Sequence, residues 1–104
     1  MGLQIVYITS GNEEESLIIA KTLVESKLAA CVNILSNVRS VYKWQNEVKN
    51  EKEFVLIGKT TSGKNKKLIE KVKEHHSYEN PCIVFVDIEG GSKQFLGWVK
   101  ESMG

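Results

Sequence analysis

Apolar and polar residues change rhythm several times along this chain, and each change predicts an element. Leu3 to Thr9 is a β-rich run whose centre, Ile5-Val6-Tyr7-Ile8, is apolar at every position. At Asn12 the rhythm turns helical. Leu17, Ala20, Val24 and Leu28 fall on one expected stripe, and Asn12 with Glu15 resembles a capping box at its start. Cys31 to Leu35 and Val38 to Trp44 predict a second strand with an interruption, and Gln45-Asn46-Glu47 predicts a reversal into a third strand, Phe54 to Lys59. A second helix is expected from about Asn65 to His76, with Leu68, Ile69 and Val72 inward. Pro81 bars its continuation, Ile83 to Ile88 is the fourth strand, and Ser92 caps a short last helix holding Phe95, Leu96, Val99 and Met103.

The order βαββαβ plus one helix is the split βαβ, or ferredoxin-like, arrangement of the α+β class. It predicts an antiparallel sheet with both main helices on one face. Phe54-Val55-Leu56-Ile57 and Ile83-Val84-Phe85-Val86 repeat the unbroken apolar character of the first strand. A sheet with one wet face alternates, so unbroken runs mean that both faces are covered. The last helix is too small to cover the second face alone. Subunit association is the simplest cover, and a monomer with that helix across the face is the alternative.

Composition narrows the classes. One domain, residues 1–104, fits the length, and one proline with no low-complexity tract argues against a linker. The 14 Lys and Arg against 13 Asp and Glu leave a net charge of +1, no footprint for nucleic acid or an anionic membrane. No apolar stretch approaches the roughly 20 residues of a membrane span, and the start lacks the marks of a signal peptide. Cys31 and Cys82 therefore read as reduced thiols of a cytoplasmic protein.

Few residues suggest chemistry. Gly58-Lys59-Thr60-Thr61-Ser62-Gly63-Lys64-Asn65 imitates a phosphate-binding P-loop, but Asn65 stands where the Mg²⁺-binding hydroxyl belongs, and the element order is not that of a P-loop enzyme. Six lysines from Lys59 to Lys73 make the second helix basic, but Glu70, placed to pair with Lys66 or Lys73, and Glu74 interleave. The third strand is too aliphatic to stack RNA bases. Cys31, Cys82, His75 and His76 are the soft or borderline metal ligands, and the adjacent histidines point about 100° apart on a helix. Cys31 and Cys82 are expected to begin the two edge strands at one end of the sheet, about 14 Å apart, too far to share an ion within one chain. Two subunits could bring them together; otherwise both are small packing residues. Glu47, Glu51 and Glu53 read as solvating carboxylates, and no catalytic constellation is present, so no enzyme activity is expected.

Several blocks together resemble the CutA divalent-cation-tolerance family: Ala29-Ala30-Cys31-Val32-Asn33-Ile34, Ser40-Val41-Tyr42-Lys43-Trp44-Gln45, Leu56-Ile57-Gly58-Lys59-Thr60-Thr61, His76-Ser77-Tyr78-Glu79-Asn80-Pro81 and Phe95-Leu96-Gly97-Trp98-Val99. They come in the family's order and span nearly the whole chain. The resemblance implies a ferredoxin-like subunit in a tight homotrimer, similar in architecture to the PII signalling proteins. It implies copper or other divalent-metal binding without catalysis, with the chain itself and the metal as partners. Cys31, Trp44, Lys59, His76, Tyr78 and Trp98 match positions around the family's intersubunit cleft, and Cys31, His76 and Cys82 are the candidate metal ligands. The sequence departs from the pattern at Ser77, where a proline is usual, and at Cys82, where a glutamate is usual. A PII-like regulator binding a nucleotide or other small molecule through Lys59 and Lys64, and an inert anchoring trimer, are the rival readings.

Without the Mg²⁺-binding hydroxyl, ATP with magnesium is expected to leave the melting temperature unchanged and to go unhydrolysed. A magnesium-dependent thermal shift that Lys64→Ala abolished would reverse that reading.

Overall fold

A computed structural model describes residues 2–104. The elements run β1 (Leu3–Ser10), α1 (Glu13–Glu25), β2 (Cys31–Trp44), β3 (Glu47–Thr61), α2 (Asn65–His75), β4 (Ile83–Asp87) and α3 (Lys93–Ser102), with a 3-10 turn over Ser62–Lys64. The sheet order is β2-β3-β1-β4, and every neighbouring pair is antiparallel. This is the split βαβ order expected from the sequence.

One sheet face carries the main core. Val6 and Ile8 of β1 and Leu56 of β3 meet Ile19, Ala20 and Leu23 of α1 and Leu68 and Val72 of α2, all buried. Asn12 starts α1 as expected: its Oδ1 accepts the Glu15 N–H at 2.7 Å. The stripe of α1 is rotated from the expected one, because the helix is apolar over more than one stripe. Ile19 and Leu23 take the core, while Leu17 and Val24 stay exposed beside Val32 and Ile34 of β2. Ile69 is half-buried, so Leu68 and Val72 alone are fully sunk from α2. Glu70 pairs with neither expected lysine; the ion pair found on α2 joins Lys71 and Glu74 at 3.4 Å.

On the second face α3 covers one end, and Val55, farther along β3, is buried as well. At the covered end Leu3 and Ala30 meet Val99 and Met103 of α3, with Leu96 and Ile88 against them. Ser92 caps α3 as expected, accepting the Phe95 N–H at 3.3 Å. Strand alternation puts Ile5, Tyr7, Leu35, Ile57, Val84 and Val86 on this face. Val84 and Val86 remain 48% and 56% exposed, so α3 does not close it.

The interrupted strand is one β2 with a register shift between Leu35 and Val38, where Asn37 takes φ 60°. Gln45 and Asn46 turn it back with φ of 49° and 65°, as a two-residue hairpin loop requires. β3 starts at Glu47 rather than at Phe54. Its first seven residues are mostly polar because they form a two-stranded ribbon that stands clear of the core, along a molecule 44 Å in its longest dimension.

Gly58 lies inside β3, paired with Val6 and Val32, where a Cβ would come within 2.9 Å of Val6 Cγ1. Overpacking of this kind costs about 1–3 kcal/mol, so Gly58→Ala is expected to lower the thermal midpoint clearly; an unchanged midpoint would mean that the sheet yields there.

Candidate functional site

Two segments carry the candidate residues: the connection from α2 to β4, and the β2–β3 ribbon. The connection follows α2 because His76 is drawn inward instead of continuing the helix. Its side chain is fully buried, with Nε2 2.7 Å from the Thr9 carbonyl oxygen and Nδ1 3.1 Å from the Tyr78 N–H. A carbonyl can only accept, so Nε2 carries the proton and Nδ1 takes the backbone hydrogen bond. Both nitrogens are occupied. A metal reaching His76 must displace one of these partners.

Glu15 fixes the same connection from α1. Its carboxylate accepts from the Ser10 hydroxyl at 3.0 Å and from the Ser77 N–H at 2.9 Å, and lies 3.6 Å from His76 Nδ1. The capping box is therefore only half made, because the carboxylate serves β1 and the connection rather than the N–H of Asn12. Ser77 also gains a role: its N–H, which a proline would lack, is the donor to Glu15.

Tyr78 reaches β3. Its hydroxyl donates to Glu53 Oε2 at 2.7 Å, and its ring lies 4.8 Å from that of His76. One register step along the ribbon, the Tyr42 hydroxyl donates to Glu51 at 2.7 Å. Partial burial and then the Glu53 hydrogen bond hold the Tyr78 phenol well above its usual range. The hydrogen bond to Glu51 raises the exposed Tyr42 phenol as well. Partial burial and the nearby negative charge of Glu53 raise the Cys82 thiol. Glu51 and Glu53 are thus phenol acceptors rather than free solvating groups, and Glu53 is buried. The sequence signal was their two-residue spacing in phase with buried Val55, which puts all three on one side of β3.

The cysteines are placed differently from expectation. Both are free, Cys31 half-buried and Cys82 exposed, on opposite flanks of the sheet. They are not at the same end, however. The register puts Cys31 level with Lys59, Ile5 and Val86, whereas Cys82 precedes Ile83 at the other end of β4. β2 and β4 run antiparallel, so their starts lie at opposite ends. Three strand spacings and four residues of offset separate the two by roughly 20 Å. Among the described residues no group of three or more His, Cys, Asp or Glu side chains is arranged to hold a metal ion.

The remaining cleft candidates are also dispersed. Lys59 Nζ donates to Asn33 Oδ1 at the sheet end of the ribbon, and Trp44 is at its tip, twelve residues along β3, about 40 Å away. Trp98 lies on α3 with Phe95, ring centroids 5.6 Å apart and both exposed. The P-loop imitation has no phosphate cradle. Its first four residues are β3 strand, and Lys64 Nζ donates to the carbonyls of Lys27 at 3.1 Å and Met103 at 3.2 Å.

A split βαβ sheet with a long β2–β3 ribbon and a third helix at its second face defines a ferredoxin-like protein, with the candidate residues dispersed over its margins. The family model for the CutA1 divalent ion tolerance protein matches residues 4–102. The chain belongs to that family. The divalent-cation tolerance protein CutA of Thermus thermophilus is 45% identical over 101 residues, 97% of this chain and 98% of that relative. Its counterpart from Archaeoglobus fulgidus is 44% identical over 98 residues, 94% and 95% of the two chains. The crystal structure of CutA1 from Oryza sativa superposes with a TM-score of 0.95 at 37% identity, covering 98% of this chain and 94% of that one.

The Cys82 thiol gives a pH test. A raised pKa keeps it protonated where an ordinary thiol ionises, so alkylation in a Cys31→Ser background is expected to rise at higher pH than for a free thiol. Glu53→Gln removes the charge contribution and should move that rise to lower pH; a profile that did not move would separate Glu53 from the thiol. The sign for stability follows. The folded state holds a proton that the unfolded chain releases, so stability falls as pH climbs through and beyond the ordinary thiol range.

Proposed function

We propose that the chain acts in the cytoplasm as a homotrimer that binds copper and other divalent metal ions, as a tolerance protein without catalytic turnover. The observation that carries the assembly is the open second sheet face. Leu35, Val84 and Val86 are exposed on it, and Phe95 and Trp98 are exposed on α3, apolar surface of the kind that marks an association site. Among the described residues, both sheet edges, β2 and β4, are also without a strand partner on their outer side.

The dispersal of the candidate residues supports the same reading. Lys59, Trp44, Tyr78 and Trp98 form no single pocket within one chain, so a cleft that uses them needs residues from neighbouring subunits. Each flank of the sheet carries one thiol. Edge-to-edge association is the way for Cys31 of one chain to approach Cys82 of the next. Two thiolates make a soft site suited to Cu(I), and His76 could join only by releasing Thr9 or Tyr78. The relatives named for divalent-cation tolerance favour a metal as the ligand. Lys64 is already bound to two carbonyls, which weighs against the nucleotide-binding alternative.

Light scattering on a gel-filtration column is expected to report three chains per particle over a wide concentration range. A stable monomer at micromolar concentration would end the assembly reading.

Cu(I) titration of the purified protein is expected to show binding that weakens as pH falls, since thiolate ligation displaces protons. Cys31→Ser and Cys82→Ser should each reduce it while leaving the trimer intact. Unchanged affinity in both variants would remove the shared dithiolate.

A further inference from the structure

The residue that the P-loop imitation singled out has a different task. Lys64 sits where the 3-10 turn after β3 meets the start of α2, and its ammonium donates to the carbonyls of Lys27 and Met103 at 3.1 and 3.2 Å. Both acceptors are at helix C-termini. Lys27 follows α1 with φ 57°, its N–H turned back to Val24, and Met103 is the C-cap of α3. The last carbonyls of a helix lack partners within it and carry the negative end of its dipole. One cation therefore answers two helix ends.

For α1 this bond is one tie among many, because the helix is sunk in the main core. For α3 it is not. Val99 and Met103 are the residues of α3 buried against Leu3 and Ala30, with Leu96 partly so. The N-cap bond at Ser92 and the turn bonds of Met103 and Gly104 are all internal to the segment. Among the described residues, the Lys64–Met103 bond is the one hydrogen bond found between α3 and the rest of the chain, and no ion pair involves α3. Within one chain, the helix is held by a small apolar cluster at its inner side and one ammonium at its end.

We propose that Lys64 is the positioning residue of α3: its charge clasps the end of that helix to the end of α1, and so fixes where α3 carries the exposed Phe95–Trp98 pair. The importance of Trp98 rests on the cleft proposed above. The clasp itself does not, since it is read without metal and without counting subunits.

Hydrogen exchange on the full-length protein is the test. Lys64→Met keeps much of the aliphatic stem and removes the charge. The amides of Val99 to Met103 are expected to exchange about tenfold faster in this variant, while those of β1, β3 and α1 hold their rates, and Lys64→Arg is expected to restore protection. Raising KCl from about 0.05 M to about 1 M should quicken α3 exchange relative to α1 in the wild type and not in Lys64→Met, because a half-exposed charge–dipole contact is screened and an apolar one is not. With Trp44→Phe leaving one tryptophan, Lys64→Met should also shift the emission of Trp98. Unchanged α3 exchange, acceleration spread evenly over the sheet, or no change in Trp98 emission would each overturn the proposal. Should Lys64→Met fail to fold, the salt series on the wild type decides alone: α3 exchange indifferent to salt overturns the clasp.

Discussion

The structure depends on a mismatch between the sheet and its helices. β1 places Val6 and Ile8 against α1 and α2, and the residues between them, Ile5 and Tyr7, are apolar as well. A strand cannot turn successive side chains to one side, so half of this apolar surface must face away from the main helices. α3 covers the end nearest Leu3 and no more. What remains open includes Leu35 on the β2 edge and Val84 and Val86 on the β4 edge. The sheet is thus finished as a fold and unfinished as a surface. That is why the functional reading concerns what lies between chains rather than a pocket inside one.

Much of the fold was legible in the sequence. Element order, topology class, the interruption of β2 and the caps at Asn12 and Ser92 follow from local signals that the structure keeps. The ribbon is poorly marked in the sequence, because strand signals come from burial. Glu47 to Glu53 alternate nothing buried with anything exposed until Glu53 itself, and their partner strand is equally wet. The sequence leaves the phase of α1 ambiguous, because Leu17, Ile18, Ile19, Ala20, Leu23 and Val24 offer two overlapping stripes. Only the position of the sheet chooses between them.

The site was less legible than the fold, for a reason visible in His76 and Cys82. A sequence shows that a side chain can ligate, not whether its lone pairs are already used. His76 spends one nitrogen on the Thr9 carbonyl, 67 residues away along the chain, and the other on the nearby Tyr78 N–H. Glu15 is bound to the same loop from α1, whereas its local sequence, a capping-box spacing from Asn12, points to a bond within its own helix. The two cysteines lie at the two edge strands, as their positions in the sequence imply, but edge strands of opposite direction start at opposite ends, so the separation runs diagonally across the sheet.

The arrangement of the strands also bears on the order in which the chain finds its fold. The β2–β3 ribbon closes through a two-residue turn and joins neighbours in sequence, so it can form on the microsecond scale typical of hairpins, before anything else in the sheet. β4 contributes only five residues, and its one strand partner, β1, lies almost eighty residues back along the chain. Closing so long a loop for so short a ladder places that pairing late. Until it forms, β1 is itself an open edge lined with Ile5, Val6, Tyr7 and Ile8. The period in which a newly made chain is most exposed to wrong partners is therefore the interval before its shortest strand arrives, and crowding of nascent chains weighs on that step more than on any other.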